Sequence, residues 1–287
     1  MPITSTTRTL GVIGWPVEHS LSPAMHNAAL RHLGLDWVYL PFAVRPERVG
    51  EAVGGVRGLG LVGLNVTIPH KAAVLPYLDE ATPEVWLLNA CNTIINEDGH
   101  LRGENTDVEG FLRSVAEAGG SLAGRAVVVI GAGGSARAVA LAALRAGAAS
   151  LTVANRTLDR AEEMAALLAP GAGATPLRAL ALRDPEAAEA VRAAEVVVDC
   201  TSVGMYPRHE VPPVVPAEWL RPGQLVCDLT YNPRRTALLR AAQAAGATPL
   251  EGTGMLVHQG ALSLEKWTGR PAPVEVMRRA LLQALDT

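Results

Sequence analysis

The chain has 287 residues, of which 49% are hydrophobic and 18% charged, and its formal net charge is -3. This length exceeds a usual single-domain core, and the balanced composition excludes disorder and a basic, aromatic-rich surface for nucleic acid. Three widely spaced cysteines without a Cys/His cluster favour buried thiols over disulfides or a metal site. No apolar stretch reaches about 18 residues and no apolar leader is apparent, so we expect a soluble, cytoplasmic two-domain protein without a membrane partner.

Strand-like and helix-like segments alternate in the first part of the chain, which indicates α/β architecture. The predicted strands are 10–14, 37–43, 61–67, 93–96 and 101–103. The turn Glu97-Asp98-Gly99 joins the last two as a hairpin. Helices are predicted after Pro23, after Pro46 and after Pro69, because proline is favoured in the first helical turn.

A more regular series follows a helix predicted over 108–117. It consists of strand 126–130, helix 135–146, strand 151–154, helix 158–168, helix 185–193, strands 196–200 and 224–228, helix 234–245 and strand 247–250. This spacing predicts βαβ units with a parallel sheet, as in a Rossmann-type doubly wound domain. Two last helices, 255–267 and 274–285, fall after this sheet is complete, and the pattern leaves open whether they cover it or return to the first domain.

A glycine-rich turn joins the first strand of this series to its first helix. Its residues are Gly131, Ala132, Gly133, Gly134, Ser135 and Ala136, a G-x-G-x-x-A form of the dinucleotide fingerprint. Gly131 permits the tight turn, Gly133 lets the backbone approach a pyrophosphate, and the helix N-terminus supplies N–H groups. The alternative, a glycine-rich turn without a ligand, is disfavoured by the flanking strands and helix.

The residues after the second strand of this series indicate which dinucleotide binds. An acidic residue at this point accepts hydrogen bonds from a ribose 2'-hydroxyl, whereas this chain has Asn155, Arg156 and Thr157. Arg156 and Arg160 can bind a 2'-phosphate from two sides, which favours NADP over NAD. NAD stays open because Asp159 is adjacent, and Arg160 alone also fits a solvated residue paired with Asp159 or Glu163.

Polar side chains cluster in two segments of the first domain. Ser20 and Ser22 lie two apart before a predicted helix, where residues of an extended segment face the same way and can hold one anion. A helix cap plus an uninvolved serine is the alternative. Asn65 and Thr67 share one side of a strand, and Lys71 follows. Only two lysines occur among 25 basic residues, so a compact ammonium at Lys71 suggests a specific role.

Together these segments resemble the shikimate dehydrogenase family over nearly the whole chain. Besides the glycine turn, the shared motifs are Ser20-Leu-Ser22-Pro, Asn65-Val-Thr67-Ile-Pro-His-Lys71, Ala90-Cys-Asn92-Thr, Asn105-Thr-Asp107, Asn155-Arg-Thr157, Thr201-Ser-Val-Gly204-Met, Asp228-Leu-Thr-Tyr231-Asn-Pro and Glu251-Gly252-Thr-Gly254-Met-Leu-Val-His-Gln259. The chain departs from the family at Ser135, where alanine is common, and at Glu251, where aspartate is more usual. The resemblance implies NADPH-dependent reduction of 3-dehydroshikimate to shikimate, a step of aromatic amino-acid biosynthesis.

The resemblance also implies a role for each matching residue. The substrate carboxylate is held by Ser20 and Ser22, with Tyr231 nearby, and the ring hydroxyls by Asn65, Thr67, Asn92 and Gln259. The catalytic pair beside the reacting carbonyl is Lys71 and Asp107. The 2'-phosphate is bound by Asn155, Arg156, Thr157 and Arg160, and the nicotinamide half by Thr201, Leu229 and Gly252. The implied substrate domain comprises 1–106 and 254–287, and the NADP domain 107–253.

Three functions are consistent with these residues. The first is an NADP-dependent shikimate dehydrogenase, and the second is a relative that also oxidises quinate, often with NAD. The third is a regulatory module that binds a dinucleotide without turnover, which the presence of Lys71 and Asp107 disfavours. The expected ligand is a small-molecule substrate, no nucleic acid is expected, and a homodimer is left open.

Overall fold

The computed structural model describes residues 3–286. It divides the chain into two compact units, one formed by Met1–Thr106 with Leu256–Thr287 and the other by Asp107–Met255. Each unit is built around its own six-stranded sheet. Within residues 3–286, none of the helices is both long enough and apolar enough to cross a membrane.

The first unit contains a mixed sheet. Its strands are β1 (Arg8–Gly14), β2 (Trp37–Ala43), β3 (Gly63–Val66), β4 (Glu80–Ala81), β5 (Thr93–Glu97) and β6 (His100–Glu104), in the order β2-β1-β3-β5-β6-β4. The first three strands of this order are parallel, whereas β5 pairs antiparallel with both β3 and β6. The helices between them are α1 (Ser22–His32), α2 (Val49–Gly58) and α3 (Pro83–Leu88).

The second unit contains an entirely parallel sheet. Its elements are α4 (Asp107–Glu117), β7 (Ala126–Ile130), α5 (Gly134–Arg145), β8 (Ser150–Asn155), α6 (Leu158–Leu168), β9 (Leu177–Ala181), α7 (Pro185–Ala193), β10 (Val196–Asp199), β11 (Leu225–Asp228), α8 (Ala237–Ala244) and β12 (Thr248–Glu251). The strand order β12-β11-β10-β7-β8-β9 reverses direction between β10 and β7. Strands β10 and β11 are buried along their whole length, as expected where both faces are covered. The predicted doubly wound, Rossmann-type domain is confirmed.

The last two helices are α9 (Gly252–Thr268) and α10 (Val274–Leu285). From Leu256 onward they belong to the first unit, which answers the question that the sequence pattern left open. Met277 and Leu281 of α10 are fully buried in one core cluster with Met25 and Leu30 of α1. Burial of such side chains contributes about 1.5–3 kcal/mol each, so these helices form part of the first core.

The helix predicted after Pro69 is wrong. Residues 71–74 form turns, followed by a short 3-10 helix over Leu75–Tyr77. Pro76 lacks an N–H group and disfavours a helical residue before it, so a helix that starts near Pro69 cannot extend. Lys71 therefore lies in a turn and not at the start of a helix.

Three elements of the structure were not predicted from the sequence, and one helix was predicted to begin too early in the chain. Strand β4 has two residues, α3 is a single short helix, and β9 is an edge strand of leucine, alanine and arginine with little β propensity. Helix α8 begins three residues after the predicted Arg234, because Thr236 caps it by accepting the N–H of Leu239 at 3.2 Å.

Candidate active site

Buried amide groups of the first unit are held in a hydrogen-bond network. The Oδ1 atom of Asn65 accepts the hydroxyl of Tyr39 at 2.8 Å, and its Nδ2 group donates to Oγ of Ser263 at 3.0 Å. The Ser263 hydroxyl lies 2.8 Å from that of Thr93. Because all four side chains are at least nine-tenths buried, Asn65 is fixed in one orientation.

Asn92 extends the same network towards helix α9. Its Oδ1 atom accepts the backbone N–H of Thr106 at 2.8 Å, and its Nδ2 group donates to Oε1 of Gln259 at 3.4 Å. The Oγ atom of Ser263 donates to the carbonyl of Gln259 at 3.0 Å. The structure thus brings together Asn65, Asn92 and Gln259, which are distant in the sequence.

Neither of the two serines at the start of α1 is the N-cap residue of that helix. The N-cap residue is Leu21, which makes no side-chain cap, and Ser22 is already the first helical residue. The N–H of Ser22 donates to Oγ of Ser20 at 3.4 Å, and the Ser22 side chain is hydrogen-bonded to Tyr39. The Ser20 hydroxyl thus accepts one N–H of the first helical turn, and Ser22 is linked to the network around Asn65.

The turn that carries Lys71 is held in place by two backbone hydrogen bonds and one side-chain contact. The carbonyl of Lys71 accepts the N–H of Cys91 at 2.8 Å, so Lys71 lies beside the segment of Asn92. The N–H of Thr67 donates to the carbonyl of Ile13 at 2.9 Å, and Nε2 of His70 lies 2.7 Å from the carbonyl of Val44. The segment from Thr67 to Lys71 is thus tied to three other parts of the first unit.

Tyr39 and Ser263 were not assigned a role from the sequence. Tyr39 lies in a strand whose other residues gave no functional pattern. Ser263 follows Gln259 by four residues in α9, and residues four apart share a helix face, so this spacing was a usable signal.

The glycine turn of the second unit adopts the conformation that its residues require. Gly131 has a φ of +104°, which residues with a Cβ rarely adopt. Gly133 is the N-cap of α5, and a Cβ built there would meet no atom within 4 Å. The backbone N–H groups at the start of α5 therefore border open space, which fits a dinucleotide pyrophosphate.

Thr201 and Gly131 lie together where the strand order reverses. A Cβ built on Gly131 would be 3.5 Å from Cγ2 of Thr201, the second residue after β10. Ligands of open α/β sheets bind at this switch point, beyond the carboxyl ends of the strands. A Cβ on Gly252 would lie 2.5 Å from the carbonyl oxygen of Leu229, so only glycine permits that close approach.

The residues after β8 leave two guanidinium groups exposed. Asn155 ends the strand, and its Nδ2 group donates to the carbonyl of Thr157 at 2.9 Å. Arg156, Thr157 and Arg160 are exposed, and within residues 3–286 neither arginine forms a salt bridge. The alternative pairing of Arg160 with a neighbouring carboxylate is thus not adopted in the described chain. Two exposed cations beside one strand end suit a phosphate group.

Asp107 is the first residue of α4 and is 4% exposed. Its charge is one of several that raise the pKa of the Cys200 thiol, after burial and the carboxyl of Asp199. Asp107 therefore lies near the carboxyl end of β10 within the second unit. Because Asp107 and Tyr231 belong to this unit and Lys71 to the first, their joint action on one substrate belongs to the proposal below.

The doubly wound sheet and its glycine turn define an α/β protein of the dinucleotide-binding class. Family models match residues 12–94 ("Shikimate dehydrogenase substrate binding domain"), 113–229 ("Shikimate / quinate 5-dehydrogenase") and 252–282 ("Shikimate 5'-dehydrogenase C-terminal domain"). The chain belongs to the shikimate dehydrogenase family. The family and the oxidoreductase class expected from the sequence are confirmed.

Several relatives match over almost their whole length. The shikimate dehydrogenase (NADP(+)) of Methanopyrus kandleri is 50% identical over 284 residues, which cover 99% of this chain and 98% of that protein. A shikimate dehydrogenase crystal structure in complex with NADP+ is similar at a TM-score of 0.92 and 39% identity, over 99% of this chain and 98% of the other.

Two further structures contain different ligands. The Thermus thermophilus enzyme in complex with NADP(H) and shikimate has a TM-score of 0.86 and 36% identity, over 96% of this chain and 99% of the other. A quinate dehydrogenase from Corynebacterium glutamicum in complex with NAD has a TM-score of 0.88 and 34% identity, over 96% and 99%. The predicted cofactor, NADP, agrees with the names of the first three relatives.

Proposed function

We propose that the chain catalyses the reversible NADPH-dependent reduction of 3-dehydroshikimate to shikimate. The observation that carries this proposal is the hydrogen-bonded array of Asn65, Asn92 and Gln259, in which both asparagines are buried and Gln259 is partly exposed. Such an array can exchange hydrogen bonds with several hydroxyl groups of one ring. Residues 1–106 and 254–287 form the proposed substrate domain, and 107–253 the proposed NADP domain.

The substrate is held by charge-assisted and neutral hydrogen bonds. Its carboxylate accepts hydrogen bonds from Ser20 and Ser22 at the start of α1, where helix N–H groups add favourable potential, and Tyr231 is a further proposed donor. Its ring hydroxyls bind Asn65, Thr67, Asn92 and Gln259. Since the amides are already oriented by protein partners, little side-chain entropy is lost when the ring binds.

Lys71 and Asp107 are the proposed catalytic residues. Bound NADPH supplies the hydride, and negative charge then develops on the carbonyl oxygen of the substrate. The Lys71 ammonium stabilises that charge, and the Lys71–Asp107 pair delivers a proton to the oxygen. In the reverse direction the same pair accepts the proton of the hydroxyl group.

The proposed cofactor contacts divide between backbone and side chains. The pyrophosphate binds the N–H groups of the turn Gly131 to Ala136, and the nicotinamide half lies along Thr201, Leu229 and Gly252. The 2'-phosphate binds Asn155, Arg156, Thr157 and Arg160. The exposure of both arginines supports this assignment, because their guanidinium groups are accessible to a ligand.

A quinate dehydrogenase that uses NAD is the second candidate, favoured by the similar Corynebacterium structure and by Asp159 next to the 2'-phosphate residues. Initial rates with shikimate or quinate, each with NADP or NAD, discriminate the two. We expect the highest kcat/KM for shikimate with NADP. A higher kcat/KM for quinate with NAD would establish the second candidate. NADPH binding without turnover would indicate a regulatory module. Cytoplasmic location and a homodimer stay predictions.

A further inference from the structure

Two buried aspartates lie on neighbouring strands at the carboxyl edge of the second sheet. Asp199 ends β10, Asp228 ends β11, and the two are register partners in this parallel pair. Register partners of neighbouring parallel strands project their side chains from the same sheet face. Each residue is only 2% exposed. None of the functional roles assigned above uses these two acids.

Each carboxyl holds the loop that follows its own strand. Oδ1 of Asp199 accepts the N–H of Thr201 at 2.8 Å, and Oδ1 of Asp228 accepts the N–H of Thr230 at 2.9 Å. Oδ2 of Asp228 also accepts the hydroxyl of Thr236, the cap of α8, at 2.6 Å. The two carboxyls therefore determine how the chain leaves both strands.

The two loops are connected to each other and to the glycine turn. The N–H of Tyr206 donates to the carbonyl of Asn232 at 2.9 Å, which joins the loop after β10 to the loop after β11. The first loop lies against Gly131 through Thr201, and the second against Gly252 through Leu229. A change in either carboxyl is thus transmitted to the point where the strand order reverses.

The surroundings of the pair favour one negative charge and one proton. Burial, followed by the charge of Asp228, raises the pKa of Asp199 to about 7. Burial also raises the pKa of Asp228, but hydrogen bonds from Thr236 and Thr230 oppose that shift. Asp228, with more donors, is therefore the ionised member, and Asp199 keeps the proton.

Glu251, the register partner of Asp228 on β12, is paired with Arg234 at 3.0 Å, and the other titratable groups nearby do not neutralise the two aspartates. Burial raises the pKa of both the Cys200 and the Cys227 thiol, so these groups are uncharged at neutral pH. Asp107 adds a further negative charge near Cys200. Among residues 3–286, no basic side chain forms a salt bridge with Asp199 or Asp228.

We propose that Asp199 and Asp228 are positioning residues of the dinucleotide site, which share one proton and hold the loops of Thr201 and Leu229 in the binding conformation. Loss of this proton in alkaline solution places two charges in a buried site, distorts both loops and weakens dinucleotide binding. The inference rests on the proposed function in one respect, namely that the ligand is NADP(H).

The protein without nucleotide tests the proton itself. Because the folded-state pKa of Asp199 is raised, the unfolded chain releases this proton at lower pH, and stability falls as pH rises from about 4 to about 7. Asp199→Asn keeps an acceptor for Thr201 and carries no charge. We expect its thermal midpoint to lose this downward trend and to exceed that of the wild type by about 4 °C or more at pH 8. Parallel profiles of the two proteins would overturn the shared proton.

Nucleotide binding tests the positioning role. We expect the NADPH dissociation constant of the wild type, measured by nicotinamide fluorescence, to rise about threefold or more between pH 6 and pH 8.5. That of Asp199→Asn should stay constant apart from the titration of the 2'-phosphate, which both proteins share. Asp184→Asn, which changes a partly exposed acid of the same unit, is the matched control and should follow the wild type. Equal profiles for wild type and Asp199→Asn would overturn the positioning role.

Infrared spectroscopy of the wild type keeps the proposal testable if Asp199→Asn does not fold. A protonated carboxyl band should disappear between about pH 6 and pH 8. Its absence throughout that range would overturn the proposal. If the wild type and both variants fail to bind NADPH while the pH trend in stability is observed, the proposed function and the positioning role are rejected. The proposal that the two aspartates share a proton would then still hold.

Discussion

The two units present their polar groups in opposite ways. In the first unit, Asn65 and Asn92 are buried and bonded to protein partners before any ligand arrives. In the second unit, Gly133 borders open space and Arg156 is exposed without an ion pair in the described chain. A substitution in the first unit should therefore affect both substrate binding and protein stability, because it leaves buried hydrogen-bonding groups unsatisfied. A substitution of an exposed residue in the second unit should affect cofactor binding alone.

The largest expected effect tests the chemistry. Lys71→Ala removes the ammonium that stabilises the developing oxyanion, so we expect kcat to fall about 10³-fold with little change in the KM for shikimate. Steady-state kinetics check this.

Lys266→Ala is the matched control, because Lys266 is the other lysine and pairs with Glu104 at 3.1 Å. It should lower stability and leave kcat near the wild-type value. A Lys71→Ala enzyme with normal kcat would remove Lys71 from the mechanism.

The next effect tests cofactor binding by the second unit. Arg156→Ala removes a charge-assisted hydrogen bond to the 2'-phosphate, and we expect the KM for NADPH to rise about 10- to 100-fold with that for NADH unchanged. The thermal midpoint should not change, because Arg156 is exposed.

Arg113→Ala provides the control, since it removes an equal charge from an exposed helix position of the same unit. It should alter neither constant. If the KM values for NADPH and NADH rise equally in Arg156→Ala, the side chain does not read the 2'-phosphate.

Asn65→Ala tests substrate binding and stability in the first unit. The substitution removes one buried hydrogen-bond partner from each of Tyr39 and Ser263, so we expect a loss of about 2 kcal/mol in the free energy of unfolding and a KM for shikimate raised about tenfold. Denaturant titration and kinetics measure both.

Asn96→Ala separates the two effects. Asn96 donates to the carbonyl of Leu61 at 2.8 Å in the same unit, and its loss should cost stability without a change in KM. An unchanged KM in Asn65→Ala as well would mean that the network is structural only.

The last prediction concerns acid stability. Burial lowers the pKa of His26 from 6.5 to about 3, and the ring stacks on Tyr39 at 4.2 Å. Below pH 6.5 the unfolded chain binds a proton that the folded chain does not. The free energy of unfolding therefore decreases by about 1.4 kcal/mol for each unit by which the pH is lowered. His26→Leu should lower the slope between pH 4 and 6 by this amount. An unchanged slope would contradict the account.

The sequence predicted the second unit better than the first. Its glycine turn and regular βαβ spacing are local patterns, and the helices over Leu158–Leu168 and Pro185–Ala193 agree with their predicted bounds. The network of the first unit joins Asn65 to Ser263 across 198 residues, and no local pattern specifies such a pairing. The helix predicted after Pro69 is absent for a local reason. Pro69 favoured the start of a helix there, but Pro76 prevents a helix from extending past it.

The most direct test of the proposed function is the product of one reaction. Purified protein is incubated with 3-dehydroshikimate and NADPH, and shikimate is quantified by chromatography while nicotinamide absorbance is followed. We predict one shikimate formed per NADPH oxidised, with no shikimate formed by Lys71→Ala on the same timescale. NADPH binding without shikimate formation by the wild-type protein would contradict the proposal.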